Sequence, residues 1–354
     1  MSLLSSDPIA DAPVRSVLIV DDSVVARAAL GRMIDATDRY VVMGAVSGVA
    51  AALDFLARSR VDVILLDLEL PGIDGLTGLP DLLAAGRGAK VLVVSATAGD
   101  GALATIQALA LGAADTLAKP GIDAFAGRFG ALLTEKLDRL VWSDDAVVGP
   151  TPPQRAPSLP QVGAFDVVVI GASTGGIHAL SAVLRALPAS FTKPILITQH
   201  LPASFMPYFA AQIALIAARP CDVAEHHMRL RPGRIVVAPG HAHMCLTTTG
   251  DGAAIRLTSD PAVSGCMPSV DPMFATAAQV FGKRALAVVL SGMGRDGSIG
   301  AKDLLRQGAA VIVQDRATSV VWGMPGAIAS TGDATAILSP EDIGRLIARR
   351  GGAA

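Results

Sequence analysis

Five prolines crowd the segment VGPTPPQRAPSLPQVGAF, at positions 150, 152, 153, 157 and 160. Each removes a backbone donor, and each ring clashes with the preceding turn of a helix, so neither a helix nor a central strand can cross this stretch. It is extended and semi-rigid, and the chain on either side must fold as separate units. The expected division is a first domain at 15–141, a linker at 142–164 and a second domain at 165–348. A chain of 354 residues has room for both.

Each half alternates short apolar runs with helical patterns. The first half carries SVLIV, VVMGAV, VDVILL, KVLVVS and DTLAK. Between them lie stretches with i, i+3, i+4 spacing, such as Val25, Ala28, Ala29, Arg32 and Met33. A last helix over 123–141 puts Phe125, Phe129, Leu132, Leu133, Leu137 and Leu140 on one stripe. The second half carries VVVI, PILITQH, RIVVAP, AIRLT, ALAVVLS and AAVIVQ. Alternation of this kind predicts α/β architecture, with two doubly wound domains. The N-terminal one is expected to be a flavodoxin-like parallel sheet. The C-terminal one is expected to be Rossmann-like, with a largely parallel sheet.

Composition narrows the partners. Charged residues make up 17%, and 29 basic against 31 acidic side chains leave no electrostatic case for nucleic acid or an anionic membrane. The longest uncharged stretch, 194–218, contains Pro202, Pro207, Gln199, His200 and Gln212, which a lipid-facing helix would not choose. No membrane insertion is expected. The N-terminus lacks a basic start followed by an apolar core, and three widely spaced cysteines fit reduced thiols. A cytoplasmic location is expected.

In an open parallel sheet, ligands bind at the carboxyl ends of the strands. Asp21 and Asp22 end the first strand, Asp67 the third, Ser95 the fourth and Lys119 the fifth. Three carboxylates in one pocket repel unless a hard cation such as Mg²⁺ joins them. A carboxylate beside Mg²⁺ can attack a phosphoryl group, with a lysine and a hydroxyl to receive it. A single Asp at a strand end is often only a helix cap; five such residues at successive strand ends are not explained that way.

The residues DDS at 21–23, LLDLELPGIDGL at 65–76, Ser95 and Lys119-Pro120 resemble a response-regulator receiver domain. The resemblance implies that Asp67 accepts a phosphoryl group and that Asp21 and Asp22, with Asp67, hold Mg²⁺. It implies that Lys119 senses the phosphoryl group and that Ser95 is the switch hydroxyl. It makes Lys119–Pro120 a candidate cis bond. Thr116 stands where that family often has an aromatic residue, and Leu70 where Met is usual.

The second half opens with DVVVIGASTGGIHAL, read as strand, tight turn and helix. Residues 171–175 fit G-x-S-x-G, a turn that presents the Ser173 hydroxyl at the top of a sheet. A glycine-rich turn that binds phosphate fits the same residues. A serine nucleophile needs a base. His200 ends the next strand, so it should neighbour Ser173 at the same sheet end. A third group must orient that imidazole, and Asp296, in the glycine loop SGMGRDG at 291–297, can supply it. Backbone N–H groups around Thr174 and Met293 are candidates for an oxyanion hole.

The stretches VVVIGASTGG, LITQHLP, PGRIVVAPGHAHM, PSVDPMF, LSGMGRDG, GAAVIVQD and VVWGMPGAI resemble the catalytic domain of the chemotaxis protein-glutamate methylesterases. A receiver joined by a linker to such a domain is that family's full-length layout. The resemblance implies a triad of Ser173, His200 and Asp296, with Thr174 and Met293 lining the site. It implies a phosphorylation-activated serine esterase that hydrolyses glutamate γ-methyl esters and deamidates glutamines. The substrates would be methyl-accepting chemoreceptors and the phosphodonor a chemotaxis histidine kinase. The esterase chemistry itself calls for no cofactor. Ser264-Gly265-Cys266-Met267 stands where relatives often have Asn, Arg and His, and His226-His227 where Asp-Gly is frequent.

Two rival patterns occur. His241, His243 and Cys245 alternate at period two and could share a strand face as zinc ligands, without an evident fourth. Gly292, Gly294 and Gly297 spell G-x-G-x-x-G, with Asp315 after the next apolar run, which is a dinucleotide fingerprint. Only about 40 residues follow Asp315, too few for a second mononucleotide half. A phosphorylation-dependent scaffold would leave Ser173, His200 and Asp296 without a role.

Overall fold

The computed structural model describes residues 13–95, 100–119, 128–141 and 162–351. The chain divides into two compact units, Met1–Ser95 with Thr116–Val141, and Ala96–Asp115 with Trp142–Ala354. The five linker prolines, Pro120 with its candidate cis bond, and the start of the helix expected from position 123 lie outside the described residues.

The first sheet has five strands: β1 (Arg15–Val20), β2 (Tyr40–Val46), β3 (Val63–Leu66), β4 (Lys90–Ser95) and β5 (Asp115–Ala118). Their order is β2-β1-β3-β4-β5. β1 pairs in parallel with both β2 and β3, and β3 with β4. The chain turns to one side of β1, then returns to the other, so a crevice opens at the carboxyl ends of β1 and β3. Val17, Leu18, Ile19 and Val20 are all fully buried. Such unbroken apolar runs mark strands covered on both faces.

The helices are α1 (Val24–Asp35), α2 (Val49–Leu56), α3 (Gly75–Gly86), α4 (Asp100–Leu111) and α5 (Arg128–Val141). Ser23 caps α1 by accepting from Ala26 N, and Asp74 caps α3 by accepting from Thr77 N. α1 buries Leu30 and Ile34, while Val25 is 75% exposed, so the stripe that starts at Val25 is not the packed one. The packed face is offset from the expected one and runs through Ala26, Leu30 and Ile34, which leaves Val25, Ala28 and Arg32 outward. On α5, Phe129, Leu133, Leu137 and Leu140 are buried, and Leu132 faces outward at the stripe's margin.

The second sheet has seven strands in the order β14-β13-β12-β6-β7-β9-β8. They are β6 (Val167–Ala172), β7 (Ile195–Gln199), β8 (Cys221–Val223), β9 (Ile235–Val237), β12 (Ala285–Val289), β13 (Ala310–Gln314) and β14 (Ala336–Leu338). Every pairing in it is parallel. β6 lies between β12 and β7, so the chain again reverses direction across the sheet at its first strand. Around the sheet lie α6 (Gly176–Arg185), α7 (Met206–Ala217), α8 (Val270–Phe281), α9 (Ser298–Arg306), α10 (Gly323–Ala329) and α11 (Pro340–Gly351).

The run AIRLT does not join this sheet. It lies in β11 (Gly252–Thr258), which pairs antiparallel with β10 (His243–Thr249) as a separate hairpin. The cause is local. Only Gly250 and Asp251 connect the two strands, and a parallel pairing needs a crossover of about a dozen residues.

One face of the second sheet packs on α8. Val167, Val169, Leu196 and Val236 meet Val270, Met273, Phe274 and Ala277 in one buried cluster. Phe274 has no solvent exposure. Phe274→Ala should therefore destabilise this half by about 3–5 kcal/mol, read as an earlier urea transition of the C-terminal unit. An unchanged midpoint would mean that α8 is not anchored there.

Candidate active site

At the crevice of the first sheet, Asp21 and Asp67 are buried at 2% and 3% exposure, and Asp22 is exposed. The three carboxylates place oxygens within 4.8 Å of one another. Lys119, which follows β5, donates from Nζ to Asp67 Oδ2 at 2.6 Å and lies 3.3 Å from Asp21 Oδ2. Backbone N–H groups hold the other oxygens: Ser23 N on Asp21 Oδ1 at 2.8 Å and Glu69 N on Asp67 Oδ1 at 3.2 Å. Burial pushes the Asp67 carboxyl above the usual carboxylate range, and the Lys119 ammonium works against that shift. Among the described residues the buried Asp21 Oδ2 accepts no hydrogen bond, and it faces Lys119 Nζ as an ion pair. A hard divalent cation such as Mg²⁺ fits this all-oxygen donor set. Ser95 is buried at the end of β4, where its carbonyl accepts from Lys119 N at 2.9 Å. Thr116 is half-buried in β5.

In the second sheet the turn after β6 carries Ser173, half-buried. Gly175 has a φ of +74°, and a Cβ there would lie 2.4 Å from the Cβ of Val320. Only glycine turns the chain so sharply into α6. Ser173 N donates to Ser291 O at 3.0 Å, and Gln199 Nε2 donates to Ser173 O at 2.9 Å. Gly292 passes so close that a Cβ would sit 2.8 Å from the Ser173 Cβ. The register Ala172↔Gln199 makes Ser173 and His200 the next residues of paired strands, and His200 N donates to Ala172 O at 3.1 Å.

The His200 ring meets Asp296 through Nε2 and Oδ2 at 2.8 Å. Asp296 is 2% exposed, yet it is richly solvated by protein. Ser269 Oγ donates to Oδ1 at 2.6 Å, Val270 N to Oδ2 at 2.8 Å and Gly297 N to Oδ1 at 3.1 Å. Burial alone would raise this carboxyl. The His200 and Ser269 bonds outweigh it, with help from Val270 N, and hold it well below the usual carboxylate range. The acid is thus ionised, and His200 Nε2 carries the proton that faces it. The remaining ring nitrogen, Nδ1, is left for another partner. Among the described residues no group takes the N–H of Thr174 or of Met293. Thr174 is 9% exposed and Met293 is 41% exposed.

The expected residues therefore gather at two strand-end sites, and the rival patterns dissolve. Asp315 Oδ1 accepts from Thr318 N and Oγ1 and closes a local turn. His243 is buried, with Nε2 2.9 Å from Asp260 O and Nδ1 accepting from Ser269 N at 2.9 Å. Both of its nitrogens are used, and among the described residues no metal-ligand group forms around it. Two contributors went unread in the sequence. Ser269 caps α8 and holds Asp296 at once. Asp271, in the first turn of α8, accepts from Ile299 N and Gly300 N at 3.0 and 2.8 Å and so caps α9. The signal was present: S-x-D before an apolar helical run is a capping pattern. Beside Asp296 opens a cavity of about 510 Å³, whose wall includes Met293, Arg295, Ile299 and Lys302.

Two doubly wound α/β domains, one with an acidic strand-end cluster and one with a serine, a histidine and a buried aspartate at its switch point, define a receiver-linked hydrolase class. A family model described as CheB methylesterase matches residues 168–347, and one described as response regulator receiver domain matches 17–124. A protein-glutamate methylesterase/protein-glutamine glutaminase 2 of Caulobacter vibrioides is 42% identical over 344 residues, 94% of this chain and 98% of that one. A protein-glutamate methylesterase/protein-glutamine glutaminase of a Nocardioides species is 38% identical over 349 residues, 94% of each. The catalytic domain of Thermotoga maritima CheB methylesterase superposes with a TM-score of 0.50 and 32% identity, over 52% of this chain and 98% of that one. The chain belongs to the CheB methylesterase family.

The Asp271 carboxyl is pushed up to about 6, first by burial and then by the charge of Asp296. The folded state therefore binds an extra proton between 3.8 and about 6. The contribution of this group to stability is highest below that window and falls as pH rises through it. Asp271→Asn keeps the Oδ1 acceptor for α9 and should flatten this part of the profile, as read by urea titrations between about pH 4 and 7. A variant profile that still falls in the window would assign the proton to another group.

Proposed function

We propose that the chain is a phosphorylation-controlled esterase in which Ser173, His200 and Asp296 hydrolyse glutamate γ-methyl esters of chemoreceptors. The observation that carries the reading is the 2.8 Å contact of His200 Nε2 with an ionised, buried Asp296, on the strand end beside Ser173. That contact fixes the tautomer and leaves Nδ1 as the base. His200 takes the Ser173 proton as Oγ attacks the ester carbonyl. The tetrahedral oxyanion is held by the N–H groups of Thr174 and Met293. Methanol leaves with the proton from His200. Water, deprotonated in turn by His200, cleaves the acyl-serine to glutamate. With a glutamine side chain the same steps release ammonia, which makes the protein a glutaminase as well. The names of the two relatives support both activities.

In the N-terminal half, Asp67 takes a phosphoryl group from a histidine kinase of the chemotaxis type. Lys119 pairs with the phosphoryl oxygens and Ser95 donates its hydroxyl to them. Asp21, Asp22 and Asp67 would hold Mg²⁺, which would supply the positive charge that an incoming phosphoryl group requires. The receiver at 15–141, the linker at 142–164, the catalytic domain at 165–348 and a cytoplasmic location belong to the same proposal. The spans of the two family models, 17–124 and 168–347, support the division.

Ser173→Ala should lower methanol release from methylated receptor membranes by about 10⁴–10⁶-fold. Retention of turnover in that variant would remove Ser173 as nucleophile. Asp67→Asn should keep the basal rate and lose its stimulation by Mg²⁺ and a small phosphodonor. Stimulation that survives the substitution would place the phosphorylation elsewhere.

A further inference from the structure

Cys266 lies on the wall of the cavity beside Asp296, in the loop between β11 and α8. It stands at a position where the family resemblance predicts a different residue, and the esterase steps give it nothing to do. One ligand atom each of Cys266, His200 and Asp296 lies within 4.8 Å of the other two. Sulfur, imidazole nitrogen and carboxylate oxygen are the three donor types that Zn²⁺ accepts, and three protein ligands with an open fourth position is a common zinc arrangement. A hard ion such as Mg²⁺ would not choose a thiolate.

We propose that Cys266, His200 and Asp296 form an inhibitory site for Zn²⁺. This rests on the reading of His200 as the catalytic base. Zinc–ligand bonds of about 2.0–2.3 Å put tetrahedral ligands roughly 3.3–3.8 Å apart, so the 2.8 Å contact of His200 with Asp296 opens by about 0.5 Å and the sulfur approaches by at most about 1 Å. The loop permits that. Cys266 is half-buried and in neither helix nor strand; its N–H donates to the nearby Ser264 Oγ at 3.3 Å and its Sγ lies 3.9 Å from Ser264 O. On binding, the Cys266 thiol releases one proton to solvent and the sulfur becomes the anionic ligand. The ion takes the Nε2 lone pair on the side that faces Asp296, so the Nε2 proton moves to Nδ1, and an Nδ1 that already holds a proton no longer takes the one of Ser173. The ion reaches the site through the cavity. The other two thiols are poorer candidates: burial pushes Cys221 up to about 12 and raises Cys245.

The test uses the full chain, and Cys266→Ser and Cys266→Ala variants, without phosphodonor. Zinc binding is measured by competition with a chromophoric chelator, and methanol release is measured in parallel. The parent should be inhibited reversibly by Zn²⁺, with activity restored by EDTA. Both variants should keep the basal rate and need at least about tenfold more zinc for half-inhibition. They should also bind one fewer equivalent tightly. The carboxylates Asp21, Asp22 and Asp67 are intact in all three proteins, so zinc held there cancels. Equal inhibition of parent and variants, or equal binding stoichiometry, would overturn the site. Cysteine-dependent binding in a parent that releases no methanol would uphold the site and defeat the esterase reading instead.

Discussion

The catalytic half is organised around one buried anion. An ionised carboxylate moved out of water without partners costs several kcal/mol or more. Asp296 escapes that cost because two helices begin beside it. Ser269 and Val270 open α8, Gly297 precedes α9, and all three donate to the carboxylate. Helix starts carry unpaired N–H groups and a positive dipole end, both of which favour a negative charge. The position of α8 against the sheet is therefore tied to chemistry. The face that buries Met273 and Phe274 against Val169 and Leu196 also carries the donors that keep Asp296 ionised. An ionised Asp296 in turn decides which nitrogen of His200 holds a proton.

The two halves apply the same topological rule to different chemistry. In each sheet the chain leaves a first strand on one side and later returns to its other side. The crevice lies at β1 and β3 in one sheet and at β6 and β12 in the other. Each crevice collects groups distant in sequence, as Asp21, Asp67 and Lys119 show in the first and Ser173, His200 and Asp296 in the second. In the first crevice the acids stand together and a lysine offsets them, which suits an incoming phosphoryl group. In the second Asp296 is fully hydrogen-bonded, which suits a positioning role.

Much of this was legible because strand ends can be read from apolar runs. VLIV, VDVILL and ALAVVL each stop at a polar residue, and the rule for open sheets says where those residues meet. The glycine loop SGMGRDG was legible as the segment that brings Asp296 to His200, but the other partners of Asp296 were not. Ser269 reaches Asp296 from 27 positions away, and no local pattern encodes that distance. The hairpin was misread because AIRLT has the composition of a parallel strand, while the deciding information was the two-residue connection before it. The stripe at Val25 failed for a related reason. Periodicity gives a helix, but in a helix rich in alanine it does not say which face meets the sheet, and Leu30 and Ile34 decide it.

His243 shows how a residue can look like one kind of site and serve another. Its alternation with His241 and Cys245 suggested a metal. The structure instead fixes both nitrogens: Nδ1 accepts from Ser269 N and Nε2 lies against Asp260 O. Since Asp260 O can only accept, Nε2–H is the donor and the tautomer is set. Ser269 is thereby held from its backbone by His243, and its hydroxyl is free to donate to Asp296 Oδ1. Asp296 Oδ2 then meets His200. The hydrogen bonds run from the start of β10 through the cap of α8 to the base beside Ser173. A hydrogen-bond chain of this kind constrains rotation at each step, because turning any one group breaks its bond to the next. The orientation of the His200 ring is in this way inherited from the packing of a hairpin outside the main sheet.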